Sequence, residues 1–355
     1  MVARSLLTVA LLLLAAPLWA INTIAYTYAP GGTTTFVYKM NADATNNTQL
    51  TAGVNPGPVN YSWDGKLIAF LKVNTGGQVG VWTMNADGTN QVQISPNNDA
   101  GALEDTAPSI GPDDNTVYFA HIISTTGCTG NNPGTSGVVC STICSWTISA
   151  APYTNAGPTC TYFPATWFTN APHIDPTGTE LVFESNNYAS GGITPFQLYT
   201  CAVSNCSATA ATINLLSTLS QAADPHWSED GDWIAMSGLQ GPTTTSPLNV
   251  WKVHRDGTGL TQVTNWACPN EAGDPSFDPS GMIAYEFDGG YTSGPKTGQC
   301  AYQNDNSVTT TVYVHSASGE ASTGELCNNV GCSPRFNPVT SGSNGGGNVI
   351  GIGVR

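Results

Sequence analysis

Pro58-Val-Asn-Tyr-Ser-Trp-Asp-Gly-Lys-Leu-Ile-Ala-Phe70 and the nearby Val81-Trp-Thr-Met-Asn-Ala-Asp-Gly-Thr-Asn90 decide the fold of this chain. In each stretch a turn signal adjoins a strand signal. The pairs Asp64-Gly65 and Asp87-Gly88 supply the positive φ that a tight turn needs. The aliphatic and aromatic residues beside them suit a pleated, buried strand. Together they predict two consecutive hairpins. The first pattern returns as Pro108-Ser-Ile-Gly-Pro-Asp-Asp-Asn-Thr-Val-Tyr-Phe119, Pro172-His-Ile-Asp-Pro-Thr-Gly-Thr-Glu-Leu-Val-Phe183, Pro225-His-Trp-Ser-Glu-Asp-Gly-Asp-Trp-Ile-Ala-Met236 and Pro275-Ser-Phe-Asp-Pro-Ser-Gly-Met-Ile-Ala-Tyr285, with a degenerate sixth copy from Pro334 to Pro338. The leading prolines are 50, 64, 53, 50 and 59 residues apart. Each copy is followed by a second hairpin, as at Val250-Trp-Lys-Val-His254 and the turn Arg255-Asp-Gly-Thr258. Four strands per unit and six units predict an all-β, six-bladed propeller of four-stranded antiparallel blades. A sandwich or a β-helix has no four-strand period of this length.

The ends of the chain carry different signals. Arg4, the apolar run Leu6 to Leu14 and Leu18-Trp19-Ala20 read as a signal peptide over residues 1–20, leaving residues 21–355 as one propeller. No later stretch offers the ~20 apolar residues of a spanning helix, so the mature chain is expected to be soluble in the periplasm, at the cell surface or outside the cell. Cleavage removes Arg4 and no acid, leaving 8 basic residues against 24 acidic ones. Such a surface repels nucleic acid and anionic membranes.

All ten cysteines follow the predicted leader, and an even count there argues for disulfides. Sequence order favours the neighbours Cys128–Cys140, Cys144–Cys160, Cys201–Cys206, Cys268–Cys300 and Cys327–Cys332. Zinc is the competing reading, and no C-x2-C pair or suitably spaced histidine supports it.

The pattern Pro-x-Trp-Ser-x-Asp-Gly-x-x-Ile-Ala, followed by Val-Trp-x-Met-Asn-Ala-Asp-Gly-Thr-Asn, resembles the TolB-type propeller repeat. Residues 63–70 with 81–89 are the clearest copy, and residues 226–235 with 250–259 are close to it. The resemblance covers the chain from residue 23 onward and implies the propeller fold. It does not imply one function, since this repeat occurs in periplasmic scaffolds, peptidase gating domains and some lyases. TolB also has an α/β domain before its propeller, and no counterpart precedes Ile24, which argues against a role in the Tol–Pal system.

Catalytic motifs are absent from the sequence: there is no G-x-S-x-G elbow, no H-E-x-x-H and no Walker loop. His173 and His226 follow the leading proline in adjacent copies, so both belong on innermost strands facing the channel. They could converge on a metal if Asp224 or Asp274 completed the site, as in lyases that resemble this repeat. With Val59, Ser109, Ser276 and Arg335 at the equivalent positions, hydrogen-bonded channel residues are the competing reading. Asn85 to Asn90 could form a calcium loop, but Arg255-Asp256-Gly257 places a cation in the same turn of another copy. No cofactor is expected; a structural calcium or other divalent cation is the alternative. Trp63, Trp82, Trp146, Trp227 and Trp251 recur in register and are expected between blades. Asn46 and Asn205 are glycosylation candidates at surface turns, whereas Asn60, also in a sequon, sits on an inner strand.

Strand counting leaves one strand over. Ile24, Tyr26 and Tyr28 open the chain with a second-type strand. Val349, Ile350, Ile352 and Val354 end it with another, after a Gly- and Ser-rich linker at residues 341–347. A surplus apolar strand could lengthen a blade, be left as a disordered tail, or pair with another copy. The expected function is therefore a secreted, non-catalytic interaction or structural protein that self-assembles into filaments by strand donation. The alternatives are a metal-dependent, lyase-like carbohydrate-active enzyme using His173 and His226, and a periplasmic TolB-like scaffold.

Overall fold

Short, mostly antiparallel strands, many joined by tight turns, make up most of the described residues. The computed structural model describes residues 23–28, 34–41, 45–54, 57–97, 102–123, 140–152, 158–161, 167–187, 196–206, 214–215, 218–241, 246–279, 281–289, 310–315 and 349–354. The predicted leader, Cys128, Cys300, Cys327, Cys332, the sixth proline-led copy and the 341–347 linker lie outside these residues. Among the described residues the only helices are the 3-10 turns Ile148–Ala150 and Val203–Asn205. None of the described helices is long and apolar enough to cross a membrane.

Strands β1 (Thr23–Tyr28), β2 (Phe36–Asn41) and β3 (Thr48–Gln49) form most of the first sheet. Next come β4 (Asn60–Tyr61), β5 (Leu67–Val73), β6 (Val79–Asn85) and β7 (Val92–Gln93). They are followed by β8 (Ala102–Ile110), β9 (Thr116–Ile123), β10 (Cys140–Thr147) and β11 (Thr159–Thr161). These two groups of four form one eight-stranded sheet, bridged by the single parallel pair Val79↔Glu104. A further sheet holds β12 (Trp167–Ile174), β13 (Glu180–Asn187), β14 (Gln197–Ala202) and β15 (Asn214–Leu215). Another holds β16 (Gln221–Trp227), β17 (Trp233–Leu239), β18 (Asn249–His254) and β19 (Thr261–Gln262). Three described strands make the last, β20 (Asn270–Phe277), β21 (Ile283–Gly289) and β22 (Thr310–His315). Finally β23 (Val349–Val354) pairs antiparallel with β1.

The first strands are neighbours in the order β4, β8, β12, β16, β20 and β23, and β23 in turn touches β4. The core lies between these units. Alternation along each strand sends successive side chains to opposite faces, so each group packs on two partners. Val182 and Leu198 meet Trp227, Ile234 and Met236 on one side, while Ala235 and Val250 meet Phe277 and Tyr285 on the other. Equivalent clusters join β1–β2 to β4–β6, β5–β6 to β9–β10, and β10 to β12–β14. Trp227 and Trp251 are buried in one of these clusters, and Trp63, Trp82 and Trp146 pack against such clusters.

Two disulfides fasten outer strands. Cys144 and Cys160 are directly opposed between β10 and β11, and Cys201 is bonded to Cys206 across the 3-10 turn after β14. Cys268 is also disulfide-bonded.

The last strand departs from the sequence expectation. Aligned by its apolar pattern, residues 349–354 form a second-type strand competing with β1. Instead β23 lies beside β1 in the place that first strands hold in the other sheets. Its register sets Ile24 opposite Val354, Ala25 opposite Gly353 and Tyr26 opposite Ile352.

Candidate functional site

The first strands share a local device that sets the geometry of the central recess. Ala107, Ala171, Asp224 and Asp274 each immediately precede a leading proline, and each has φ between 46° and 51°. Non-glycine residues seldom adopt this left-handed conformation. Each of these four strands carries a register shift at that point. The left-handed residue and its proline thus form a bulge, which bends the strand and redirects the following side chain.

β4 lacks this device, because Pro58 stands in the place of Asp224 and a proline ring cannot take a positive φ. Pairing fixes that register: Asn60 faces Ala69 as His226 faces Ala235. Asn60, not Val59, is therefore the counterpart of the two histidines. The error arose from aligning prolines, which stand one residue out of step in the first copy. The inward position is held by Asn60, Ser109, His173, His226 and Ser276, and by Gly353 in β23.

The histidines do meet. Their ring centroids are 4.0 Å apart with the planes inclined at 41°. His173 is buried, and its Nδ1 accepts the Trp227 backbone N–H at 3.3 Å, while the Trp227 indole N–H donates to the His173 carbonyl at 3.2 Å. This places the proton of neutral His173 on Nε2. Ser109 makes the same link one strand earlier, its Oγ accepting the Ile174 N–H at 3.4 Å. Nδ1 of His226 lies 2.9 Å from the Trp227 carbonyl and its Nε2 3.0 Å from the Ser276 hydroxyl. Asn60 donates to the Pro108 carbonyl at 2.8 Å. Each of these polar groups joins its own first strand to the next or braces it.

A second chain of hydrogen bonds serves the bulges. A left-handed residue turns its N–H out of the ladder, and a buried N–H needs an acceptor. Asp224 N–H donates to Glu184 Oε2 at 3.1 Å, and Asp274 N–H donates to Ser237 Oγ at 2.9 Å. The Ser237 hydroxyl donates to Asp224 Oδ2 at 2.9 Å, and Asn170 Nδ2 donates to Glu184 Oε1 at 3.1 Å. Burial, aided by the nearby charge of Asp224, pushes the Glu184 carboxyl up to about 8. It is therefore largely protonated at neutral pH.

The four left-handed residues border a recess of about 470 Å³, part of it open to solvent. Pro58, Pro172, Pro225 and Pro275 line it together with Asp224, Asp274 and the two histidines. Trp63 lines a second, smaller hollow against the same two histidines, together with Glu229 and Phe277. It stands 5.8 Å edge-on to His173 and packs on the Trp227 cluster. Asp224 and Asp274 thus share the recess with His173 and His226, but Asp224 is engaged by Ser237. Among the described residues no group of three or more His, Cys, Asp or Glu is placed to hold a metal ion.

The candidate calcium loop is a hydrogen-bonded turn. Asp87 Oδ1 accepts the Thr89 N–H at 3.0 Å and its hydroxyl at 2.6 Å, and Asp256 does the same for Thr258 at 2.9 and 2.7 Å. Asn46 and Asn205 are exposed. One polar pair escaped sequence reasoning: buried Asp105 on β8 meets His121 Nδ1 on β9 at 2.6 Å. Direct cross-strand pairing joins them, a signal visible only once strand register is known.

No known protein family and no curated protein sequence matches this chain. Among solved structures it is similar to TolB from Acinetobacter baumannii at 17% identity and a TM-score of 0.57, over 84% of this chain and 62% of that one. It is also similar to Kuenenia stuttgartiensis hydrazine synthase (12% identity, TM-score 0.58, 87% of this chain and 45% of that one). A third likeness is to puromycin hydrolase (14% identity, TM-score 0.51, 84% and 44%). The chain spans less than two thirds of each of these proteins. At such identities the likeness is one of fold, and the fold is a TolB-like β-propeller.

Proposed function

We propose that this chain is an exported, six-bladed, non-catalytic propeller that acts as an interaction or structural protein and assembles through its terminal strands. One observation carries the non-catalytic reading: Asn60, His173 and His226 at the recess each bond to the neighbouring first strand. His173 holds the Trp227 N–H as Ser109 holds that of Ile174, so an imidazole and a hydroxyl do the same structural work. The contact order of the first strands, with β23 touching both β20 and β4, supports closure as six blades. Export is supported by the disulfides Cys144–Cys160 and Cys201–Cys206, which persist in oxidising compartments.

Metal analysis tests the non-catalytic reading. Protein dialysed after exposure to manganese, zinc and calcium is expected to retain no stoichiometric ion. One retained equivalent that disappears in His173→Asn would overturn it. Deleting residues 345–355 tests assembly: electron microscopy and light scattering are expected to show loss of oligomers, and an unchanged oligomeric state sinks the idea. Export predicts a mature N-terminus at Ile21.

A second reading rests on the 4.0 Å approach of His173 and His226 beside Asp224 and Asp274. It makes the recess a metal-dependent, lyase-like site acting on carbohydrate, and the same metal measurement decides it. Retention in the periplasm as a TolB-like scaffold is the alternative location.

A further inference from the structure

We infer that β23 is exchanged between copies, the last strand of one molecule filling the first-strand slot beside β1 of another. This rests on the reading of the chain as self-assembling, and it names the partner, the donated strand and the receiving slot.

Three observations single out β23. The first is tethering. β4, β8, β12, β16 and β20 each run into their own second strand through a five-residue turn, at residues 62–66, 111–115, 175–179, 228–232 and 278–282. None of these can leave its sheet without unravelling a hairpin. β23 has no such bond to β1; its nearest described strand in sequence is β22, and 33 residues separate His315 from Val349.

The second is anchorage. β8, β12, β16 and β20 carry the left-handed residue and proline, and each has a polar side chain at the inward position. In β23 that position is Gly353, which has no side chain to offer. β23 shares the register shift, opposite Tyr26 to Tyr28, but residues 349–354 contain no proline, charge or hydroxyl to secure it.

The third is the slot. Ile24, Ala25 and Tyr26 are fully buried, and the exposed edge of a strand is a template for any chain of matching pattern. Every copy supplies both this slot and the one segment that fits it. Donation in one direction joins copies head to tail, and such contacts extend into filaments unless the rotation closes.

Paired cysteines can test the exchange. Ala25 and Gly353 are directly opposed, which brings Cα atoms within disulfide range. An Ala25→Cys chain and a differently tagged Gly353→Cys chain, co-expressed, are expected to give a mixed disulfide-linked dimer on non-reducing gels. The double variant A25C/G353C is expected to give a ladder of linked multimers. Ile24→Cys with Val354→Cys, the next pair in register, covers the case in which the first pair fails to fold. A double variant linked only within monomers, with no mixed dimer, overturns the exchange. If light scattering of the unmodified chain still shows oligomers, only the exchange has failed; if it shows monomers, the self-assembly reading falls with it. No linkage in either register overturns the β1–β23 pairing itself.

Discussion

β16 and β23 lie beside second strands of the same type, Trp233–Leu239 for one and Thr23–Tyr28 for the other. β16 is continuous with its partner through a five-residue turn. It is bent by the left-handed Asp224, its bulge N–H is accepted by Glu184, and its Trp227 binds His173 on the preceding strand. β23 shares the register shift but has Gly353 at the inward position and no proline. The difference separates two tasks within one ring. Fixed strands need local locks that no other copy can replace, whereas a strand that closes the ring needs register alone.

The comparison breaks most visibly at Trp227. Trp227→Ala is expected to cost about 3–5 kcal/mol in denaturant unfolding, because a fully buried indole leaves a cavity at the interface of two sheets. A cost below about 1 kcal/mol would show that the fourth sheet is no better anchored than the closing strand.

Glu184 bears on the lock chemically. The unfolded chain releases this proton near the ordinary carboxylate value of 4.5, whereas the folded chain keeps it up to about 8. Between those values the folded state binds more protons, so the stability tied to Glu184 is fully present below about pH 4.5 and is lost as pH rises through about 8. Glu184→Gln mimics the protonated acid and is expected to flatten this decline in a series of melts from pH 4 to 9. An undiminished slope would assign the titration elsewhere.

His173 comes next. His173→Ala leaves the Trp227 N–H without its acceptor and is expected to cost about 1–3 kcal/mol. His173→Asn is expected to restore much of that, since an amide oxygen can accept the same N–H. A metal-binding histidine would not be rescued in this way. The smallest effect sharpens the contrast from the other side: Gly353→Ser gives β23 the hydroxyl that Ser109 and Ser276 carry. It is expected to raise stability by at most about 1 kcal/mol in thermal melts and to slow any exchange of the strand.

Much of this was legible in the residues. The proline-led copies and their Asp-Gly turns identified the repeat, because turn chemistry and strand alternation are local properties. The bonded pairs Cys144–Cys160 and Cys201–Cys206 followed from nearness along the chain. Register was harder. Proline marks the residue after the bulge in four strands but takes the bulge residue's own place at Pro58, so aligning prolines displaced Asn60 by one. β23 was misplaced for a related reason: Val349-Ile350-Gly351-Ile352 has the apolar pattern of a second strand, and only the pairing Ala25↔Gly353 sets it on the other side of β1. The Asp105–His121 contact and the engagement of Glu184 with Asp224 depend on which residues face each other across strands. No spacing in one sequence reports that.

Trp63 has a consequence for how the units are braced. The β4–β5 turn that carries it belongs to a unit separated from β12 by β8, yet the indole reaches His173 and the Trp227 cluster. It therefore acts as a cross-tie between sheets that share no ladder hydrogen bond, so a load on one unit is felt at the hydrogen bond His173 makes in another.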